Sequence, residues 1–266
     1  MLQHLLLSAA IGDICGSVYE RRRYATKRYA DVDLFHPYSR FTDDTVCTFA
    51  CAEALLNGLD MAASLRTWCL QYPKAGYGGG FMVWFNNPEA KAYGSYGNGA
   101  AMRCSSAGWL ATTHEECIEM ATRTAMPTHN HPEGIKGAVA TALTIFYLKT
   151  GHDKAFIKEN VLREYYPDWA ETTYDEIHPH YHFRSSCQET VPPAILSFIK
   201  SESYADCITR AIALGGDADT LATIAGPMAY AYCRVIDAPL LELAKVVLPQ
   251  SMWNLSKAFD ERCQIL

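Results

Sequence analysis

Apolar residues recur at helical spacing along almost the whole chain, and runs of alternating β-branched residues are nearly absent. A strand needs period-two alternation, so this pattern predicts helices and no sheet. The period runs over 2–15, 44–56, 61–71, 99–111, 115–125 and 133–149, then 154–166, 190–200, 204–214, 219–235, 240–247 and 252–263. Two stretches break it. Residues 72–96 carry Gly76, Gly78, Gly79, Gly80, Pro88 and Gly94 among several aromatics, and predict a long Gly-rich loop. Residues 167–186 predict a polar, His-rich connection. No Ser-, Pro- or charge-rich linker divides the chain, so a single compact all-α domain spanning 1–266 is expected.

The chain's 266 residues suffice for one large core. Lys plus Arg number 23 against 29 Asp plus Glu, a net charge of −6. That balance disfavours sequence-independent binding to nucleic acid, which runs on phosphate neutralisation. It leaves room for a local basic patch at Arg21, Arg22, Arg23, Lys27 and Arg28, ordinarily a solvated face. Ten cysteines include no Cys-x-x-Cys pair and sit mostly in apolar helical patterns, which predicts buried thiols and a reducing cytoplasm. The apolar run 2–11 lacks a basic flank and a cleavage site, and no stretch approaches the roughly 20 apolar residues of a membrane span. A cytoplasmic monomer with no membrane partner is the expectation.

Two segments concentrate oxygen ligands directly before apolar helices: Phe-Thr-Asp-Asp-Thr at 41–45 and Gly-Gly-Asp-Ala-Asp-Thr at 215–220. Helix capping explains one carboxylate at a helix start. Two at each start, with apolar neighbours and no Lys or Arg within the segment, exceed what capping needs. Crowded carboxylates repel unless a cation lies between them. The donors Asp43, Asp44, Asp217, Asp219, Thr42 and Thr220 are hard oxygens, suited to Mg, Mn or Ca. A third segment, Gly-Asp-Ile-Cys-Gly-Ser-Val-Tyr-Glu at 12–20, spaces Gly12 and Gly16 for close helix contact and embeds Asp13 and Glu20 in apolar surroundings.

Taken with Ser-Tyr-Gly-Asn-Gly-Ala-Ala-Met-Arg at 95–103 and Thr-His-Asn-His-Pro-Glu-Gly at 128–134, these five stretches resemble the ADP-ribosylglycohydrolase family. That family includes the dinitrogenase-reductase-activating glycohydrolases and the eukaryotic ADP-ribose–protein hydrolases. The resemblance implies a multi-helix orthogonal bundle with two Mg²⁺ ions, Mn²⁺ being compatible, in a cleft. It implies that Thr42, Asp43 and Asp44 hold metal from one side, and Asp217, Asp219 and Thr220 from the other. Glu20 matches the family's mobile glutamate. Ser95, Tyr96, Gly97, Asn98 and Gly99 match a loop holding the phosphates and distal ribose, where glycines let backbone N–H groups approach closely. His129 matches a histidine near the diphosphate or ribose. One departure is Ala218, where many relatives have Thr or Ser, which bears on hydrogen bonding around the metals rather than on the ligands.

The activity implied is hydrolysis at the anomeric carbon of ADP-ribose, with Glu20, Asp43 and Asp44 as candidate catalytic carboxylates. The partner is then an ADP-ribosylated substrate, with a nucleic acid involved only if the acceptor is a base. Two other classes compete. One is an inactive binding or structural protein on the same fold, and the other a divalent-metal nucleotide phosphohydrolase. The alternating His178, His180 and His182 read as a polar loop. Trp84, Phe85, Tyr93 and Tyr96 read as core or as base-stacking residues. Cys15, among carboxylates, reads as packing.

Overall fold

The computed structural model describes residues 3–20 and 23–265. Leu2, Arg21 and Arg22, which figured in the sequence reading, lie outside the described residues. Helices α1 (Leu7–Gly16), α2 (Asp43–Asn57), α3 (Met61–Gln71), α4 (Gly79–Asn86), α5 (Gly99–Met102) and α6 (Ser105–Leu110) come first. Then follow α7 (His114–Ala125), α8 (Pro132–Lys149), α9 (Lys154–Ile157), α10 (Arg163–Tyr165) and α11 (Tyr174–Ile177). The chain closes with α12 (Cys187–Lys200), α13 (Tyr204–Ala213), α14 (Ala218–Cys233), α15 (Ala238–Val247) and α16 (Gln250–Ile265). Among the described residues there is no strand, only a single bridge between Gly97 and Ser186.

Helix ends follow local chemistry. Thr42 caps α2, its side chain accepting from the Asp44 N–H, and Gly58 at φ 65° ends it. Asp60, Thr113, Asp153 and Ser203 cap α3, α7, α9 and α13 in the same way. His131 caps α8, with Pro132 in the first turn, where its missing N–H costs nothing.

Three expectations need correction. The 72–96 stretch is not all loop: α4 forms because Phe81, Trp84 and Phe85 fall on one face and are buried together. That burial outweighs the helix cost of Gly79 and Gly80. The 99–111 helix is broken at Arg103 and Cys104, where the buried Arg103 turns to donate to the carbonyls of Thr124 and Ala125. The 154–166 segment contains a π-helical turn, Lys158–Leu162.

The centre of the fold is the crossing of α1 and α14. Every residue of α1 is buried. A Cβ on Gly12 would lie 2.3 Å from the Ala222 carbonyl oxygen, and one on Gly16 would lie 2.5 Å from Cα of Asp219. On α14, a Cβ on Gly226 would lie 2.4 Å from the Ser8 oxygen. The glycines therefore serve backbone contact, and that contact sets the end of α1 beside the start of α14. We expect Gly12→Val to lower stability by about 3 kcal/mol, a fall in Tm of roughly 6–12 °C by calorimetry. A melting temperature equal to the parent's would refute the close crossing.

Among the described residues no helix is long and apolar enough to cross a membrane. All ten cysteines are unbridged and eight are buried.

Candidate active site

The starts of α2 and α14 face each other across the end of α1. Asp13, fully buried on α1, ties α2 in place. Its Oδ1 accepts from Thr42 Oγ1 (2.7 Å). Its Oδ2 accepts from the N–H groups of Thr42 (2.7 Å) and Thr45 (3.1 Å) and from Thr45 Oγ1 (2.5 Å). Asp13 thus satisfies four donors at the start of α2, a role that explains a carboxylate in an apolar helix.

The two oxygen-rich segments meet directly. Thr220 Oγ1 donates to Asp44 Oδ2 at 3.4 Å, bridging 176 positions of sequence. Carboxylate oxygens of Asp13, Asp44 and Asp219 lie within 4.8 Å of one another, and so do those of Glu20, Asp217 and Asp219. Asp219 belongs to both groups. Asp44, Asp217, Asp219, Thr42 and Thr220 are buried, while Glu20 is exposed at the rim. Asp44 Oδ1 is buried without a hydrogen-bond partner.

Burial first, and then mutual repulsion, raises these carboxyls. Asp44 is held well above the ordinary range by burial and by Asp13, Asp43 and Asp217. Asp219 is held well above it by burial and by Asp217, Asp44, Glu20 and Asp13. Asp43 is pushed up to about 7 by burial and by Asp13. Six crowded acids, an orphaned buried carboxylate oxygen and an all-oxygen donor set fit a hard divalent cation. Capping alone leaves the orphaned oxygen and the repulsion unexplained.

The cluster lines a cavity of about 380 Å³. Ser95, Gly97, Asn98, Gly99 and His129 line it too. Asn98 joins this loop to the cluster: its Nδ2 donates to Asp217 Oδ2 at 2.8 Å and to Thr190 Oγ1 at 3.3 Å. Tyr96 stands outside the lining. It is half exposed, with its ring against His131. The chain is extended here, bridged at Gly97 to Ser186, so alternate residues Ser95 and Gly97 face the cavity and Tyr96 turns away.

A profile of the ADP-ribosylglycohydrolase family matches residues 2–252. The chain belongs to the ADP-ribosylglycohydrolase family. It is 26% identical to the human ADP-ribosylhydrolase ARH3 over 310 residues, covering 88% of this chain and 85% of that one. It is 28% identical over 163 residues to the ADP-ribosyl-[dinitrogen reductase] glycohydrolase of Rhodospirillum rubrum, 58% of this chain and 51% of that one. A solved structure, an ADP-ribosylglycohydrolase-related protein complex, shares the fold with a TM-score of 0.74 at 21% identity, over 97% of this chain and 96% of that one. This glycohydrolase is therefore an enzyme of the glycosidic-bond-cleaving class.

Of the other residues singled out in the sequence, Lys27 departs from its reading. Lys27 is not on a solvated face: its ammonium donates to the carbonyls of His178 (2.9 Å), Tyr181 (2.5 Å) and Leu214 (2.6 Å). Arg28 is exposed and pairs with Asp31. His178 is stacked between Tyr29 and Tyr174, and His180 and His182 are exposed, so the three do not converge. Trp84 and Phe85 are core, while Tyr93 borders the cavity. Cys15 is buried, its thiol pushed up by burial and Asp13. Phe81 and Arg103 also line the cavity and were not anticipated. Arg103 was visible as a lone cation inside a small-residue helical stretch.

Proposed function

We propose that this glycohydrolase is Mg²⁺-dependent, with two ions, and releases ADP-ribose from a modified acceptor by hydrolysis at the ribose anomeric carbon. The supporting observation is the pair of carboxylate groups sharing Asp219 in a cavity that Gly97 and Gly99 also line. Asp44, Asp217 and Asp219, with Thr42, Thr220 and Asp43, are the residues that would hold the ions. Bound Mg²⁺ would supply charge to orient the ribose hydroxyls and to acidify the attacking water. Glu20 is the proton acceptor in this reading. It alone of the clustered carboxylates is exposed, so it can pass its proton to solvent. Asp43 is the alternative holder of that proton, since its neighbours push it to about 7. Asn98 fixes Asp217 and brings the Ser95–Gly99 loop to the same ligand.

The retained carboxylates favour this reading over an inactive member of the fold, which has no need of a repulsive buried cluster. Unbridged cysteines suit a reducing compartment. The test is a product assay with arginine-linked, serine-linked, nucleic-acid-linked and O-acetyl-linked ADP-ribose, with Mg²⁺ present or chelated. We expect free ADP-ribose from at least one substrate, only with the metal. Release of phosphate or AMP instead would establish a phosphohydrolase. Absence of any product together with absence of Mg²⁺ binding would remove the reading.

A further inference from the structure

His129 stands in the cavity wall with 5% of its surface exposed. Its Nδ1 lies 2.7 Å from Thr128 Oγ1. That same oxygen lies 2.8 Å from Nη2 of Arg103. A guanidinium only donates, so Thr128 Oγ1 accepts from Arg103 and has one hydroxyl proton left to give. Thr128 is fully buried, and among the described residues the acceptor within reach is His129 Nδ1. The reverse arrangement, with Nδ1–H donating to Thr128, would leave the hydroxyl proton with no acceptor in a dry site. Nδ1 is therefore the acceptor, and a neutral imidazole carries its proton on Nε2.

Arg103 cannot swing away from this arrangement. It is 1% exposed, and its other bonds go to the carbonyls of Thr124 (3.0 Å) and Ala125 (3.3 Å). None of these partners is charged, so its positive charge is left unneutralised beside His129. Burial and that charge hold His129 well below the ordinary histidine range, which keeps the ring neutral. Its Nε2 faces the bare Cα positions of the loop: a Cβ on Gly99 would be 3.1 Å from Nε2, and one on Gly97 would be 3.5 Å from it.

We infer that Arg103 and Thr128 are positioning residues forming a tautomer lock, which presents His129 Nε2–H as a fixed, neutral donor to a phosphoryl oxygen of the ligand. The assignment of the ligand as ADP-ribose rests on the function proposed above; the lock itself does not. Asp44 and Asp219 make their part of the lining acidic, while Arg103 is the charge acting on His129, so the diphosphate belongs beside His129 and the scissile ribose beside the carboxylates. A donor that never charges recognises a phosphoryl oxygen without attracting solvent anions as strongly as an imidazolium would.

The first measurement is a long-range ¹H–¹⁵N correlation spectrum of the full chain labelled at histidine and free of ligand, assigned with His129→Gln. We expect a protonated Nε2 and an unprotonated Nδ1 at His129. A protonated Nδ1 overturns the lock whatever the enzyme acts on. The second compares Thr128→Val with Thr128→Ser. The valine variant, which keeps the shape and removes the hydroxyl, should show mixed tautomers. It should also weaken ADP-ribose binding about tenfold by calorimetry, with the loss in KM rather than kcat. Serine should restore both the spectrum and the affinity. Parental binding by the valine variant overturns the positioning role. A parent protein with the expected tautomer but no affinity for ADP-ribose overturns the ligand and leaves the lock standing.

Discussion

We expect Asp219→Asn to lower turnover by about 10³-fold or more, yet to leave the chelated protein at least as stable as its parent. Both halves follow from where Asp219 sits. It is the carboxylate common to the two groups that could hold a cation, so its charge would serve both positions. An amide keeps the carbonyl oxygen that accepts from the Thr220 N–H at 3.0 Å, so the start of α14 is preserved. Without metal the carboxyl is a burden: burial and then Asp217, Asp44, Glu20 and Asp13 oppose its ionisation. A neutral side chain relieves that burden. Metal reverses the order, because a ligand bound only by the folded state stabilises it, by about 2.7 kcal/mol at a hundredfold excess over Kd. The parent should gain that increment and the variant should lose most of it. Thermal melts in chelator and in saturating Mg²⁺, beside the product assay, decide the matter. An equal Mg²⁺-induced gain in both proteins would show that Asp219 is not a ligand.

The sequence made the helices and the chemistry of the site legible for different reasons. Helix positions came from periodicity and caps, and Met61–Gln71 illustrates it, with Asp60 before it and apolar residues on one face. The candidate ligands were legible because carboxylates are costly in apolar surroundings, so Asp44 and Asp219 needed a reason to be there. What the pattern concealed was set by tertiary contact. Helix α4 is stabilised by where Phe81, Trp84 and Phe85 land, against a local Gly cost that argues for loop. Tyr96 reads as a cavity residue because it lies inside a recognisable stretch, but the bridge from Gly97 to Ser186 decides which way it points. Asp13 had the opposite fate. It stood out only as a carboxylate in apolar surroundings, and its four donors at the start of α2 give it a structural task. Lys27 is similar: three carbonyls brought from the 178–181 and 214 positions are invisible to local charge patterning.

The second large effect is a change in the sign of the pH dependence of stability when metal is added. In chelator, stability should fall as pH rises from about 6.5 to about 8; with saturating Mg²⁺ it should hold or rise. Asp43 has an ordinary value of 3.8 in the unfolded chain and about 7 when folded. Asp44 and Asp219 are also raised well above that ordinary value, by burial and by their neighbours. Above the unfolded value the folded state binds more protons than the unfolded one. Raising pH through the folded values therefore removes stability, on the order of 1 kcal/mol per pH unit for each proton retained. His129 acts in the opposite sense, being lowered by burial and by Arg103, but its effect fades as pH rises past the ordinary histidine value of 6.5, where the unfolded chain's ring loses its proton as well. Mg²⁺ held by these carboxylates would compete with the same protons for the same oxygens. Its binding would strengthen as they leave, and the stability it confers would grow with pH. Differential scanning calorimetry across the window, with and without chelator, reads both slopes. Asp43→Asn should flatten the chelator slope while leaving it downward, because Asp44 and Asp219 remain. Slopes of equal sign in the two conditions would mean that the buried carboxylates are not the groups the metal engages.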